Sequence, residues 1–174
     1  MISIKKNFVF TLITALMALP IYASTPPNDA EIAHRVVTAN TIDIDAGKLA
    51  LKRGNSKIKE FAQLMVTDHS AVNKQAVALV TKLGVKPEDN ATSKSLLSGA
   101  KENINNLKKL KGDKFDKEYV DHEVAYHQAV IDEIDSTLIP NSKNSELNAL
   151  LVKVRPAFVA HLEHAKSLQS SLNN

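Results

Sequence analysis

Apolar positions recur along most of this chain at alternating spacings of three and four, the period that keeps one stripe of an α-helix facing a partner. Val120, Val124, His127, Ile131, Ile134 and Leu138 form one such stripe, with Phe115, Tyr119, His122 and Tyr126 as a second beside it. The helix that carries both is therefore predicted to touch neighbours on two sides. The most regular seam comes last: Leu147, Leu151, Val154, Phe158, His161, Ala165, Leu168 and Leu172. Each of these two helices has a histidine set into its apolar stripe.

Two further helices precede them. Over residues 30–52, Ile32, Val36, Ala39, Asp43, Ala46 and Ala50 share an edge, with Ile42, Asp45 and Leu49 alongside, and the small side chains imply a close neighbour. Over residues 57–83, Phe61, Met65, Val72, Ala76, Leu79 and Leu83 make a seam that Asp68 and His69 interrupt. Residues 91–111 place Leu97, Ala100, Ile104 and Leu107 in register but are rich in Asn, Lys and Ser, which suits a crossover helix. Asp29 and Ser56 are the expected caps. Gly54, Gly84 with Pro87, Gly112 and Pro140 are the expected breaks. Pro156 lies inside the last pattern and predicts a kink near residues 152–156, since it removes one backbone hydrogen bond. No stretch alternates with period two over strand length. The chain is thus expected to be all-α: a ferritin-like four-helix bundle over residues 30–172, with a long helical crossover between the second and third bundle helices.

The first residues stand apart. Lys5 and Lys6 precede an apolar run over residues 8–19, and Ala23 follows at the place of a small cleavage-site residue, the layout of a secretory signal. Residues 1–23 are expected to be removed, leaving a short leader over 24–29 and a periplasmic or secreted protein with no membrane span. Cleavage lowers the charge balance from +3 to 20 basic against 19 acidic residues, which gives no support for nucleic-acid binding. The absence of Cys excludes disulfides, thiol catalysis and Cys-ligated zinc. No Gly-rich phosphate loop or nucleophile elbow is present.

The pieces IDIDAGKLAL, IKEFAQLMVTDHSAVNKQ, LKGDKFDKEYVDHEVAYHQAVI and RPAFVAHLEHAKSL resemble an exported bacterial family, domain of unknown function 4142, over roughly residues 30–170. The resemblance implies a periplasmic helical bundle and carries no activity with it. The matching positions are Asp43 and Asp45, Asp68 and His69, Asp116, Tyr119 and His127, and His161. The two first-helix positions usually hold Glu in that family and hold the shorter Asp here.

Asp43, Asp68, His69, His127 and His161 are the candidate metal ligands, because carboxylates and imidazoles facing inward from several helices can hold a divalent ion such as iron, manganese or zinc. The consensus spacing of di-iron bundles, Glu three residues before His, is absent: Val66 precedes His69 and Phe158 precedes His161 at that distance. Counted from Leu138 and Asn144, His127 and His161 also differ in height by ~9 Å, whereas His69 is level with Asn40 and Asp43 lies ~4.5 Å away along the axis. The preferred reading is a buried polar network, in which seam histidines find Asp, Tyr or backbone partners and no cofactor is needed. His34 and His164, and Asp132, Glu133, Asp135 and Glu163, are read as exposed surface. Function is read accordingly as a non-enzymatic binding or envelope-stress module with an unidentified protein or envelope partner. A metal-binding or redox bundle is the alternative.

Overall fold

The computed structural model describes residues 25–173, and helix is the only regular structure among them. Helix α1 spans Asp29–Arg53, α2 Ser56–Lys82, α3 Ala91–Leu107, α4 Asp113–Glu133 and α5 Ser145–Leu172. The expected leader, 1–23, lies outside the described residues. None of the described helices is long and apolar enough to cross a membrane.

Four of the five helices begin where a side chain can satisfy their free amides, and α4, which follows Gly112, has no such cap. Asn28, Asn55, Asn90 and Asn144 all accept from backbone N–H groups of the first turn, and Asn28 and Asn90 complete capping boxes with Glu31 and Ser93. The caps of α1 and α2 are thus one residue earlier than expected. Asp29 instead bonds the backbone of Lys143 and Asn144, tying the start of α1 to the start of α5. Helix α3 stops at Leu107 rather than near 111, because the Arg53 guanidinium takes the carbonyls of Leu107, Lys108 and Leu110 and so satisfies acceptors a longer helix would have used. Gly112, at φ 55°, then turns the chain into α4.

Helices α1 and α2 form one antiparallel hairpin and α4 and α5 another, and α1 also meets α4 while α2 meets α5. Helix α3 runs end to end across the outside of α1 and α4, which lets α4 begin beside the α1–α2 turn. The α1–α2 contact is close: a Cβ on Gly47 would stand 2.9 Å from Val66 Cγ2 and 3.2 Å from the Ala62 carbonyl oxygen. That agrees with the small-residue edge read from the first helix. Helix α5 continues through the exposed Pro156 without ending.

The core is divided. One apolar cluster gathers Ile32, Val36, Val72, Ile131, Leu151, Val154 and Phe158, and the other Ala50, Phe61, Met65, Phe115, Tyr119, Val120 and Ala165. Between them in sequence register on all four bundle helices lies a polar layer: Asp43, His69, Glu123 with His127, and His161, all buried. The apolar halves hold the fold, at about 1.5–3 kcal/mol for each large side chain removed from water. The polar layer works against it unless its groups are paired.

Candidate metal centre

Four helices each place part of this layer by the same periodicity that builds the core. Asp43 is one turn from Ala46 on α1, His69 one turn from Met65 and Val72 on α2, His127 one turn from Ile131 on α4, and His161 lies between Phe158 and Ala165 on α5. Burial of the flanking residues carries the polar ones inside.

The height difference expected between His127 and His161 is not observed, since their ring centroids are 5.5 Å apart. The helical rod does not end at Leu138. It continues through a π-helical turn, Ile134–Leu138, and a further turn, Ile139–Asn141, so that His127 stands 14 residues before its end and His161 16 residues after Ser145. That leaves a difference of only ~3 Å along the axis. Pro140 has no N–H to give, and the widened i→i+5 turn, in which the Ile139 amide bonds the Ile134 carbonyl, immediately precedes it. His69 lies 5.6 Å from His127 and 5.3 Å from His161 by ring centroid, so the three rings form a triangle, with Phe158 edge-on to His69 at 5.0 Å.

The outer nitrogen of each ring is committed. His69 Nδ1–H donates to Asn40 Oδ1 at 2.7 Å, and Asn40 is itself oriented by giving its amide to the Val36 carbonyl. His127 Nδ1–H donates to the Glu123 carbonyl oxygen at 2.9 Å. His161 Nε2–H donates to Asp68 Oδ2 at 2.9 Å. Carbonyl and carboxylate oxygens only accept, so in the neutral ring these bonds set the tautomer and leave the lone pair on His69 Nε2, His127 Nε2 and His161 Nδ1. All three atoms are buried without a hydrogen-bond partner. One ligand atom from each of the three histidines falls within 4.8 Å of the others.

Asp43 faces the same space. Its Oδ2 is 3.0 Å from His69 Nε2 and 3.4 Å from His127 Nε2, yet neither contact has a proton to share in these tautomers, and both carboxylate oxygens lack a hydrogen-bond partner. Donor atoms about 2.0–2.1 Å from a tetrahedral ion stand roughly 3.3 Å apart, so this spacing fits ligands around one cation, as the 3.0 Å contact also fits a hydrogen bond from a protonated His69. Glu123, 1% exposed, completes the surroundings with Oε2 3.5 Å from His127 Nδ1, and Asp43, Glu123 and His127 form a second set of ligand atoms within 4.8 Å. The Tyr119 hydroxyl is another buried orphan.

The charges follow from burial. Burial alone would raise the Asp43 pKa, but a proton taken up by the facing histidines, first of all on His69 Nε2 where it would bond the carboxylate, outweighs burial and holds it below the ordinary carboxylate value. Burial, reinforced by Asp43, drives Glu123 well above its ordinary value, which favours its neutral carboxyl. Burial pushes His127 down to about 4 against the pull of Asp43, and burial likewise lowers His161. The layer therefore sets the Asp43 carboxylate against His127 and His161, whose neutral forms burial favours.

The residues singled out in the sequence fall in three groups. Asp43, His69, His127 and His161 converge. Asp68 stands behind His161, half exposed, as the partner that orients it. Asp45 is exposed and faces Lys48, while Asp116 is buried at the α1–α2 turn, where it accepts the Asn55 amide. His164 is exposed, His34 is half-buried, and Glu133 is not free surface: it pairs with Arg35 at 2.8 Å. Sequence reading passed over Glu123 as a member of the layer, although its place four residues before His127, on the flank of the same stripe, was a usable signal.

The model of the family described as "Domain of unknown function (DUF4142)" matches residues 17–168. No curated protein sequence matches the chain. Among solved structures, "CopM in the Cu(II)-bound form" superposes with a TM-score of 0.64 at 16% sequence identity, covering 83% of this chain and 98% of that one. At that identity the likeness is one of helical fold.

Proposed function

We infer that this chain, which belongs to the DUF4142 family, is an exported, non-enzymatic metal-binding bundle. His69, His127 and His161 together with Asp43 hold one divalent first-row ion. The observation that carries this reading is the fixing of all three outer ring nitrogens by Asn40, the Glu123 carbonyl and Asp68, which leaves three lone pairs and a carboxylate facing one another. Acceptors gathered without a proton repel, and a cation at their centre turns that repulsion into coordination. A purely structural network would instead pair each acceptor with a donor, and no such donor meets His127 Nε2 or His161 Nδ1.

Three imidazoles and one carboxylate suit copper, zinc, nickel or iron better than magnesium or calcium, and copper(II) leads the affinity order. The Cu(II)-bound form of the structural neighbour supports testing copper first. The basic, apolar and Ala23 pattern of residues 1–23 supports export.

The test is thermal melting of chelator-stripped protein titrated with Cu(II), Zn(II), Mn(II) and Fe(II), with elemental analysis of the washed product. Binding to the folded state alone adds about 4 kcal/mol at a thousandfold excess over Kd. A saturable rise in Tm with one ion per chain, abolished in His69→Ala and in His161→Ala, is expected. No shift with any of the four ions would refute the reading.

A further inference from the structure

Next to α3, two links join α4 to α1. Arg35 Nη1–H donates to Glu133 Oε1 at 2.8 Å, and the Tyr126 hydroxyl donates to the Ala39 carbonyl oxygen at 3.0 Å. Tyr126 and Glu133 are two turns apart on α4, so the links are separated by ~10 Å along it. Between them α4 contributes Ala129 and Val130 and α1 contributes Val36 and Ala39, and the two alanines leave the gap unfilled. The space that results is a cavity of about 210 Å³. Ile134, Leu138, Leu151, Val154 and Phe158, all buried, form its inner wall, and Leu96 of α3 lines its outer side.

The polar groups around it are already paired. Arg35 and Glu133 bond each other, and Arg35 Nε–H also reaches Asn90 Oδ1 at 3.3 Å. Asn40 gives its amide to the Val36 carbonyl while its Oδ1 accepts from His69. These pairs offer no unbalanced charge and few groups to hold water, and an apolar cavity of this kind stays dry until an apolar molecule fills it. A charged molecule would shed its hydration there with nothing to replace it. Two other cavities flank α3, of about 380 and 360 Å³, but one carries Glu102, Glu118 and His122 and the other Asp45, Lys101 and Lys108, walls that suit water.

We propose that the cavity between α1, α4 and α5 beneath α3 is a binding site for a small neutral aromatic molecule of two fused rings. An apolar cavity of about 150 Å³ admits benzene, so the larger volume here takes a second ring. Tyr126 and Phe158 line the cavity and supply edge-to-face partners for an aromatic occupant. The site does not require the metal centre to be loaded, yet the two share a wall. Asn40 and Phe158 both line the cavity and touch His69, the first at 2.7 Å through its oxygen and the second edge-on at 5.0 Å between centroids. An occupant therefore rests on two side chains that surround that ring.

Titration of indole into chelator-stripped full-length protein with isotope-labelled methyl groups tests the site. Saturable shifts of the Val36, Ile134, Leu138, Leu151 and Val154 methyl resonances are expected, with a Kd on the order of 0.1–1 mM, and the Asn40 side-chain amide should move with them. Tryptamine and indole-3-acetate add a charge to the same rings and are expected to bind at least ~tenfold more weakly. Ala39→Phe and Ala129→Phe place a ring in the cavity from opposite walls, and each is expected to weaken indole binding by ~tenfold or more. Should a variant not fold, the comparison of indole with its charged analogues on the wild type still decides. Absence of saturable shifts at those methyls up to millimolar indole, charged analogues binding as tightly as indole, or indole affinity unchanged in both variants would overturn the proposal, whether or not the protein takes up metal.

Discussion

Acidifying the metal-free protein should expose the protonation state of its polar layer, and His127 is the residue on which to work the magnitude. Its ring is 0% exposed and its folded pKa is held at about 4 by burial, against roughly 6.5 in the unfolded chain. A depressed folded pKa means that the unfolded state takes up the proton first. The contribution of His127 is therefore full above pH ~6.5 and is lost as pH falls from there toward 4. At pH 5 the loss amounts to about 2 kcal/mol, tending to about 3 kcal/mol below pH 4, as an upper value for a group with several charged neighbours. The groups facing it are Asp43 on α1, His69 on α2, Glu123 on its own helix and His161 on α5.

Two of these tilt the curve as well. His161, also depressed by burial, adds a loss of the same sign. Glu123, raised by burial, acts in the opposite sense: its contribution is full below the unfolded pKa and is lost as pH rises through the folded value. The informative quantity is therefore the difference between wild type and His127→Leu, which keeps an apolar side chain in the seam and removes the titration. Urea melts with a chelator present, from pH 7.5 to 5, should show wild type losing about 2 kcal/mol relative to the variant. A difference that stays constant across that range would mean that His127 is solvated or already charged in the fold, and the tautomer assignment on which the metal centre rests would fail with it.

Glu123→Gln should leave metal-free stability near pH 5 almost unchanged, because a neutral carboxyl is replaced by a neutral amide of like shape. It should flatten the decline that Glu123 causes as pH rises, read from urea midpoints between pH 5 and 9. Gly54→Ala should destabilise by about 1–3 kcal/mol through overpacking, since its Cβ would lie 2.5 Å from Ile58 Cγ2 and 3.1 Å from the Ala50 carbonyl oxygen, at an ordinary φ of −68°. A cost below about 0.5 kcal/mol in chemical denaturation would mean the α1–α2 turn opens freely. Intact-mass spectrometry of the exported protein should find its N-terminus at Ser24 or within two residues of it; retention of residues 1–23 would remove the basis for a periplasmic location.

Helix content, the order of the five helices and most of their limits could be read from the sequence alone, because helix period, capping residues to within one position and Gly or Pro breaks act within a few residues of chain. The seams that buried Val36, Met65, Ile131 and Phe158 were legible for the same reason, and the same periodicity marked Asp43, His69, His127 and His161 as inward-facing. The level of His69 against Asn40 was also readable, since the tight Gly54–Asn55 turn leaves little freedom between α1 and α2. The level of His127 against His161 was not. It depends on how far the rod beyond Leu138 continues past Pro140, and that continuation, through a π-turn, changes the level of one helix against the other by about 6 Å, several times a ligand bond. Only the folded bundle could decide that Asp68 stands behind His161 while Asp43 faces the rings, or that Glu123 enters the layer. Those outcomes depend on which neighbouring helix lies against each flank of the stripe, and periodicity along one helix carries no information about the azimuth of the next.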